Sequence, residues 1–219
     1  MRRVGVIVLA ALAAIAAAAV LPMPGRADPA KPLRAQERTS PYMLTFGEAR
    51  PPYGFVEFCK RMPEECRQGP PEYQRFSATP ERLSELDSVN RAVNREIAPA
   101  TDLEIYGQAE YWTLPTSRGD CEDYALLKRK RLIARGWPES ALLMTVVRDE
   151  KGEGHAVLTA RTLQGDFVLD NKIDEVKAWH RTRYEYVMRQ SYLNPQVWMS
   201  LDPSEGASSL AIAGVRSAR

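Results

Sequence analysis

The chain opens with an uncharged apolar run over residues 4–21, preceded by Arg2 and Arg3 and broken by Pro22 and Pro24. A positive start, an alanine-rich stretch and the small residues around Gly25-Arg26-Ala27 predict a secretion signal over residues 1–27, cut before Asp28. A retained anchor is the rival, because the run is near the minimum for a membrane span. Residues 28–50 are polar, with a short strand expected over 42–44. After the Pro51-Pro52 break, residues 55–62 suit one or two helical turns. Gly69-Pro70-Pro71 marks a connection, and Thr79-Pro80 opens a helix with a capping residue followed by proline in the first helical position. Leu83, Leu86, Val89, Val93 and Ile97 then recur at three and four, and Pro99 ends the helix. Residues 100–117 show no period. Their cluster of Tyr106, Tyr111, Trp112 and Leu114 reads as core packing or as one wall of a cleft. A second helix follows Cys121, with Ala125, Leu126, Arg129, Leu132 and Ile133 on one stripe and Gly136 as its stop. Residues 142–147, 155–161 and 167–170 read as three strands of an antiparallel meander, separated by turns near 149–154 and 162–165. The apolar and aromatic segment 184–201 closes the core. From Asp202 to the end the residues are small and polar, and a disordered tail is expected over 202–219. The pattern is an α+β domain over 28–201, with helices preceding an antiparallel sheet.

Charge narrows the function. The 219 residues carry 30 Lys and Arg against 28 Asp and Glu, a formal +2. Removal of Arg2, Arg3 and Arg26 with the signal leaves 27 basic against 28 acidic residues, one net negative charge. That balance gives no case for a nucleic-acid partner. About 190 residues suffice for one domain with a real core. Three cysteines make an odd count, and an oxidising compartment is expected to pair two of them. Cys59 and Cys66, seven apart, suit a local disulfide. Cys121 is then the free thiol, although its pairing with either of the others stays open.

Cys121 follows Gly119-Asp120 on the first turn of a helix. Unpaired amides and the helix dipole there favour a thiolate. Asp120, Glu122 and Asp123 oppose it, so the site needs a positive partner or a bound cation. The alternative is a small buried hydrophobe. A cysteine nucleophile needs a base, and the base an orienting group. Of two histidines, His180 lies in a polar stretch with no strand or turn to hold it, whereas His155 opens a strand after a glycine-containing turn. Asp170 closes the next strand. A turn centred near residue 163 pairs residues whose numbers sum to about 325–327, which sets 170 opposite 155–157. Asp170 is then able to hold the His155 tautomer, or else it is a surface acid starting a turn with Asn171. The Cys121 amide is a natural oxyanion donor, and a second could come from the Gln108 or Trp112 side chain.

Four stretches in order carry a resemblance: Trp112-Thr113-Leu114-Pro115, Gly119-Asp120-Cys121-Glu122-Asp123-Tyr124-Ala125, Gly154-His155-Ala156-Val157-Leu158 and Leu169-Asp170-Asn171. They resemble the bacterial transglutaminase-like cysteine proteinases, including the periplasmic LapG-type enzymes, over roughly residues 40–200. The resemblance implies a papain-like or transglutaminase-like α+β fold, with the helix bearing the nucleophile packed on an antiparallel sheet. It implies Cys121 as nucleophile, His155 as general base and acid, and Asp170 as orienting group. It links Asp120 and Glu122 to Ca2+, whose preference for hard oxygen ligands requires carbonyls or waters to complete the shell. No organic cofactor is implied. The implied setting is the periplasm, without stable membrane insertion once the signal is removed. The implied partners are a protein substrate such as a large surface adhesin, and an inner-membrane receptor for cyclic-di-GMP. Two rivals use the same residues differently. An acyl transferase would release ammonia and cross-link its substrate. A non-catalytic scaffold would keep the fold with an ordinary, slowly alkylated Cys121.

Overall fold

The computed structural model describes residues 40–69 and 75–204. The expected signal over 1–27 and the tail from 205 onward lie outside these residues. The helices are α1 (Tyr53–Arg61), α2 (Pro80–Glu96), α3 (Asp102–Tyr106) and α4 (Cys121–Ala134). The strands are β1 (Glu48–Ala49), β2 (Ala98–Pro99), β3 (Arg118–Gly119), β4 (Leu142–Arg148), β5 (Gly154–Thr162), β6 (Gly165–Leu169), β7 (Lys177–Ala178), β8 (Glu185–Gln190) and β9 (Trp198–Ser200).

The expected meander is the centre of a sheet ordered β1-β9-β8-β4-β5-β6-β7, antiparallel throughout. β5 and β6 pair Leu158 with Leu169 and Thr162 with Gly165, the upper end of the expected register. Alternation sorts the side chains between two cores. Leu142, Met144, Leu158, Ala160 and Leu169 pack with Leu86, Val89 and Val93 of α2 and Leu132 of α4. Val147, Val157 and Val168 pack with Met43, Trp179, Tyr184 and Leu201. One face of the sheet is thus covered by helices and the other by connecting segments.

The helices form for the local reasons anticipated. Thr79 Oγ1 accepts from Arg82 N at 3.3 Å with Pro80 in the first turn, and Leu86, Val89 and Val93 are buried. Gly136 takes φ +85° just past α4. α4 is buried beyond its predicted stripe, because Glu122, Asp123, Tyr124 and Lys128 are buried alongside Ala125, Leu126, Arg129 and Leu132. Cys59 and Cys66 form a disulfide with Cα atoms 5.5 Å apart, and Cys121 is free. Trp112 joins Phe55 and Trp198 in an edge-on aromatic cluster. Its indole lies so close to Gly54 that a Cβ there would meet Cδ1 at 2.4 Å.

Three expectations need correction. Residues 42–44 are not a strand; β1 lies later, at Glu48–Ala49, paired with β9. The earlier segment is held by Asp166 instead, whose carboxylate accepts from Met43 N at 2.8 Å and whose amide donates to Pro41 O at 2.9 Å. The aperiodic stretch contains α3, which is too short to show a period but is fixed by a capping box between Thr101 and Glu104. His180 lies in a single 3-10 turn, Trp179–Arg181, rather than in irregular chain. Among the described residues no helix is long and apolar enough to cross a membrane.

Candidate active site

The short parallel pair β2–β3 aligns Ala98 with Arg118 and Pro99 with Gly119. This delivers the chain to the start of α4. Asp120 is the N-cap residue, yet its side chain makes no capping hydrogen bond. A Cβ on Gly119 would lie 2.7 Å from Asp123 Oδ2, so only glycine lets that carboxylate fold back over β3. Cys121 Sγ donates to Glu122 Oε2 at 3.0 Å and accepts from Ala156 N at 3.4 Å. The open end of β5 therefore meets the first turn of α4 at the sulfur.

His155 precedes Ala156 and is 4% exposed. Its Nε2 lies 2.9 Å from Asp170 Oδ1, which leaves Nδ1 as the ring nitrogen free for exchange with a neighbour. Asp170 Oδ1 also accepts from Lys172 N at 3.0 Å, and Oδ2 accepts from the Tyr184 hydroxyl. The Tyr184 ring stands edge-on to His155, centroids 5.7 Å apart. Asn94 Nδ2 donates to the Asp170 carbonyl at 3.0 Å. The structure thus brings Cys121, His155 and Asp170 together at one end of the sheet, with Tyr184 added. Tyr184 carries no spacing signal, because it arrives from the far side of the sheet at the approach to β8. A cleft of about 380 Å³ opens over Cys121 and His155, bounded by Thr101 and Glu104 and by Asn171 and Lys172. Trp112 is withdrawn as an oxyanion donor, since its indole N–H donates to Glu110 at 3.2 Å. Gln108 is exposed.

Burial first, and the flanking acids after it, disfavour the thiolate in the free site. Burial pushes the Cys121 thiol well above its ordinary value, and the charge and hydrogen bond of Glu122 add to this against the Ala156 amide. Burial, then the charge of Asp120, pushes Glu122 up to about 9. Burial pushes Asp123 up to about 8 against the Thr113 amide, and it also raises Asp120. Asp170 differs. Burial raises it, but the hydrogen bond and charge of His155, with the Tyr184 hydroxyl, outweigh burial and hold it below the usual carboxylate value.

The same acids test the expectation of a cation. Asp120 belongs to two groups whose ligand atoms lie within 4.8 Å of one another: one with Cys121 and Glu122, the other with Asp102 and Asp123. In the second group each aspartate offers a buried oxygen without a hydrogen-bond partner: Asp102 Oδ1, Asp120 Oδ1 and Asp123 Oδ2. The other oxygens of Asp102 and Asp123 are fixed by Tyr111 N and by Thr113 N, the latter at 2.9 Å. Three converging, unpaired, hard oxygens fit a calcium ion. Of the predicted pair, Asp120 is central, while Glu122 receives the Cys121 thiol. Asp102 was invisible from spacing, because only the β2–β3 pairing and the α3 cap bring it to α4.

A helix-borne cysteine sharing a cleft with a histidine at the end of an antiparallel sheet suits one class, the transglutaminase-like cysteine peptidases. The description of the bacterial transglutaminase-like cysteine proteinases (BTLCP) matches residues 45–206, and the chain belongs to this family. It is accordingly a cysteine peptidase. Solved structures of Legionella pneumophila LapG are similar at 27% identity. The calcium-bound form has a TM-score of 0.46 and covers 56% of this chain and 71% of that one. The EGTA-treated form has the same TM-score and covers 57% and 69%. Comparison with curated proteins finds no match.

Proposed function

We propose that this peptidase is an exported endopeptidase that cleaves a protein substrate through Cys121, His155 and Asp170. The observation that carries the reading is the meeting of β5 and α4: the Ala156 amide on the Cys121 sulfur, and next to it His155 bound through Nε2 to Asp170. His155 Nδ1 takes the thiol proton as Sγ attacks the peptide carbonyl. Asp170 keeps the accepting nitrogen turned to the sulfur and stabilises the imidazolium. The Cys121 amide, unpaired at the start of α4, faces the oxyanion. His155 then gives its proton to the leaving amine, and water hydrolyses the thioester. Asp102, Asp120 and Asp123, with Glu122 beside Asp120, would hold calcium. Bound there, the ion supplies positive charge that offsets the acids around the thiol.

The apolar run over 4–21 supports a cleaved signal over 1–27 and a periplasmic mature chain, with 28–201 as the working domain and 202–219 as a tail. The resemblance of the cysteine, histidine and aspartate stretches supports a large surface adhesin as substrate and an inner-membrane receptor as regulator. The test is N-terminal proteomics of envelope and surface fractions treated with the mature protein, with Cys121→Ala as control, in calcium and in chelator. New N-termini that require Cys121 are expected. Ammonia release and cross-linked product without new termini would replace hydrolysis with acyl transfer.

A further inference from the structure

One glycine stands beside the nucleophile with no internal reason to be glycine. Gly119 makes room for Asp123 and Gly54 for Trp112, while Gly107, Gly136 and Gly152 take positive φ. Gly154 does neither: its φ lies outside the left-handed region, and a Cβ built on it meets no atom within 4 Å. Glycine weakens a strand, and often marks a place where another backbone comes close. Gly154 is exposed, whereas every later residue of β5 is buried. It lines the cleft with Cys121, His155, Thr101 and Asn171.

The strand register gives its direction. Leu158 and Ala160 turn their side chains to the helix-covered core. Side chains alternate along β5, so the bare Cα of Gly154 faces the side on which α4 lies. The main chain has a direction as well. Asp149 N donates to Glu153 O at 3.0 Å, and Val147 stands opposite His155 in the same register. The residues of β5 that bond to β4 are therefore the odd-numbered ones. Gly154 and Ala156 point their N–H and C=O away from β4, and the Ala156 amide meets the Cys121 sulfur at 3.4 Å. On that side β6 pairs with β5 only as far as Leu158, opposite Leu169. Among the described residues no strand continues the ladder past Gly154 there. Its N–H and C=O stand at an open edge, next along that edge from the amide on the sulfur.

We propose that Gly154 is the docking residue for the substrate main chain. An extended segment of the protein substrate lies in the cleft as a short added strand, hydrogen-bonded to the Gly154 N–H and C=O, and presents its scissile carbonyl to Cys121. Pairing of this kind draws its affinity from backbone rather than side chains. It selects a segment free to become extended, such as a linker or an open loop, over one held in a helix. A side chain at position 154 would stand in the path of that strand. The inference rests on Cys121 being the nucleophile of this cleft.

The experiment compares Gly154→Ala with the native mature protein by thermal melting, by iodoacetamide alkylation of Cys121, and by the rate at which Cys121-dependent new N-termini appear in the envelope fraction. Gly69→Ala is the control, at another glycine of ordinary φ whose Cβ would meet nothing. Gly154→Ala is expected to melt no lower than native, because its conformation suits alanine and the unfolded chain loses freedom. Alkylation by the small reagent is expected to be unchanged. Cleavage is expected to slow about tenfold to a hundredfold, the effect of a methyl forced into a close contact. Gly69→Ala is expected to match native in all three. Should Gly154→Ala not fold, Gly154→Ser is read in the same way. Cleavage at the native rate overturns the inference. So does slower cleavage accompanied by a lower melting temperature or slower alkylation, which would make the glycine structural. If the native protein itself yields no new N-termini, the peptidase reading of the cleft falls, and this inference with it.

Discussion

Asp170→Asn is the sharpest single perturbation of the site, because it keeps the shape and removes only a charge and an acceptor. Asp170 is 3% exposed and receives three donors: His155 Nε2 at 2.9 Å, Lys172 N at 3.0 Å and the Tyr184 hydroxyl. An asparagine offers one acceptor oxygen where the aspartate has two, and its NH2 donates, so it cannot accept from all three. If its NH2 turns to His155, the ring must accept at Nε2 and carry its proton on Nδ1, the nitrogen needed to take the Cys121 proton. If its carbonyl turns to His155, the amide faces the Tyr184 hydroxyl and the imidazolium loses its counter-charge. A hydrogen bond to a charged group contributes about 1.5–3 kcal/mol, and an unsatisfied buried donor costs about 1–3 kcal/mol more. At about 1.4 kcal/mol per tenfold, the combined loss of about 2.5–6 kcal/mol is roughly a hundredfold to ten-thousandfold in kcat. Single-turnover cleavage of a quenched fluorescent protein measures it, with iodoacetamide alkylation of Cys121 as a second readout and a thermal melt to show that the fold survives. A stable variant within threefold of native kcat/KM would refute the orienting role of Asp170.

Other outcomes follow from the same geometry. Calcium at a hundredfold excess over its Kd is expected to stabilise the fold by about 2.7 kcal/mol; Asp102→Asn should abolish that rise in melting temperature, and an unchanged rise would remove Asp102 from the site. Gly119→Ala forces a Cβ to within 2.7 Å of Asp123 Oδ2, and a loss of about 1–3 kcal/mol is expected by urea unfolding. Asp170 sits below its usual value in the fold, so its contribution is complete above its unfolded value of about 4 and is lost as pH falls through the folded one. Acid unfolding below about pH 4 should therefore be shallower in Asp170→Asn, and identical acid transitions would contradict the depressed value. Leu132→Ala, at a fully buried α4 position, is expected to cost about 2–5 kcal/mol in the same unfolding assay.

The parts of this molecule that were readable from sequence are those governed by local period and turn chemistry. The α2 stripe, the meander and its register followed from apolar spacing and from one turn near residue 163. That register alone brought His155 and Asp170 to the same end of neighbouring strands. What escaped depends on contacts distant along the chain. Asp102 reaches the acid cluster through the β2–β3 pairing, and Tyr184 reaches Asp170 from beyond β7. Lys128 lies off the apolar stripe read for α4, and nothing in the local spacing signals that it is fully buried. The Thr101-x-x-Glu104 capping pair was a readable signal for α3, but two alternating polar residues in an aperiodic stretch do not stand out.

The hydrogen bond from the Cys121 thiol to Glu122 bears on how such a protein survives before it acts. Oxidants and disulfides attack thiolates far faster than thiols. A sulfur kept protonated by burial and a neighbouring carboxylate is a poor target in an oxidising surrounding, even though it is the chain's one unpaired cysteine. Burial and the acid beside the thiol thus act as a preservative. Mass spectrometry after mild peroxide should find Cys121 reduced in the native protein and carrying added oxygen sooner in Glu122→Leu, where the acceptor of the thiol hydrogen bond is gone.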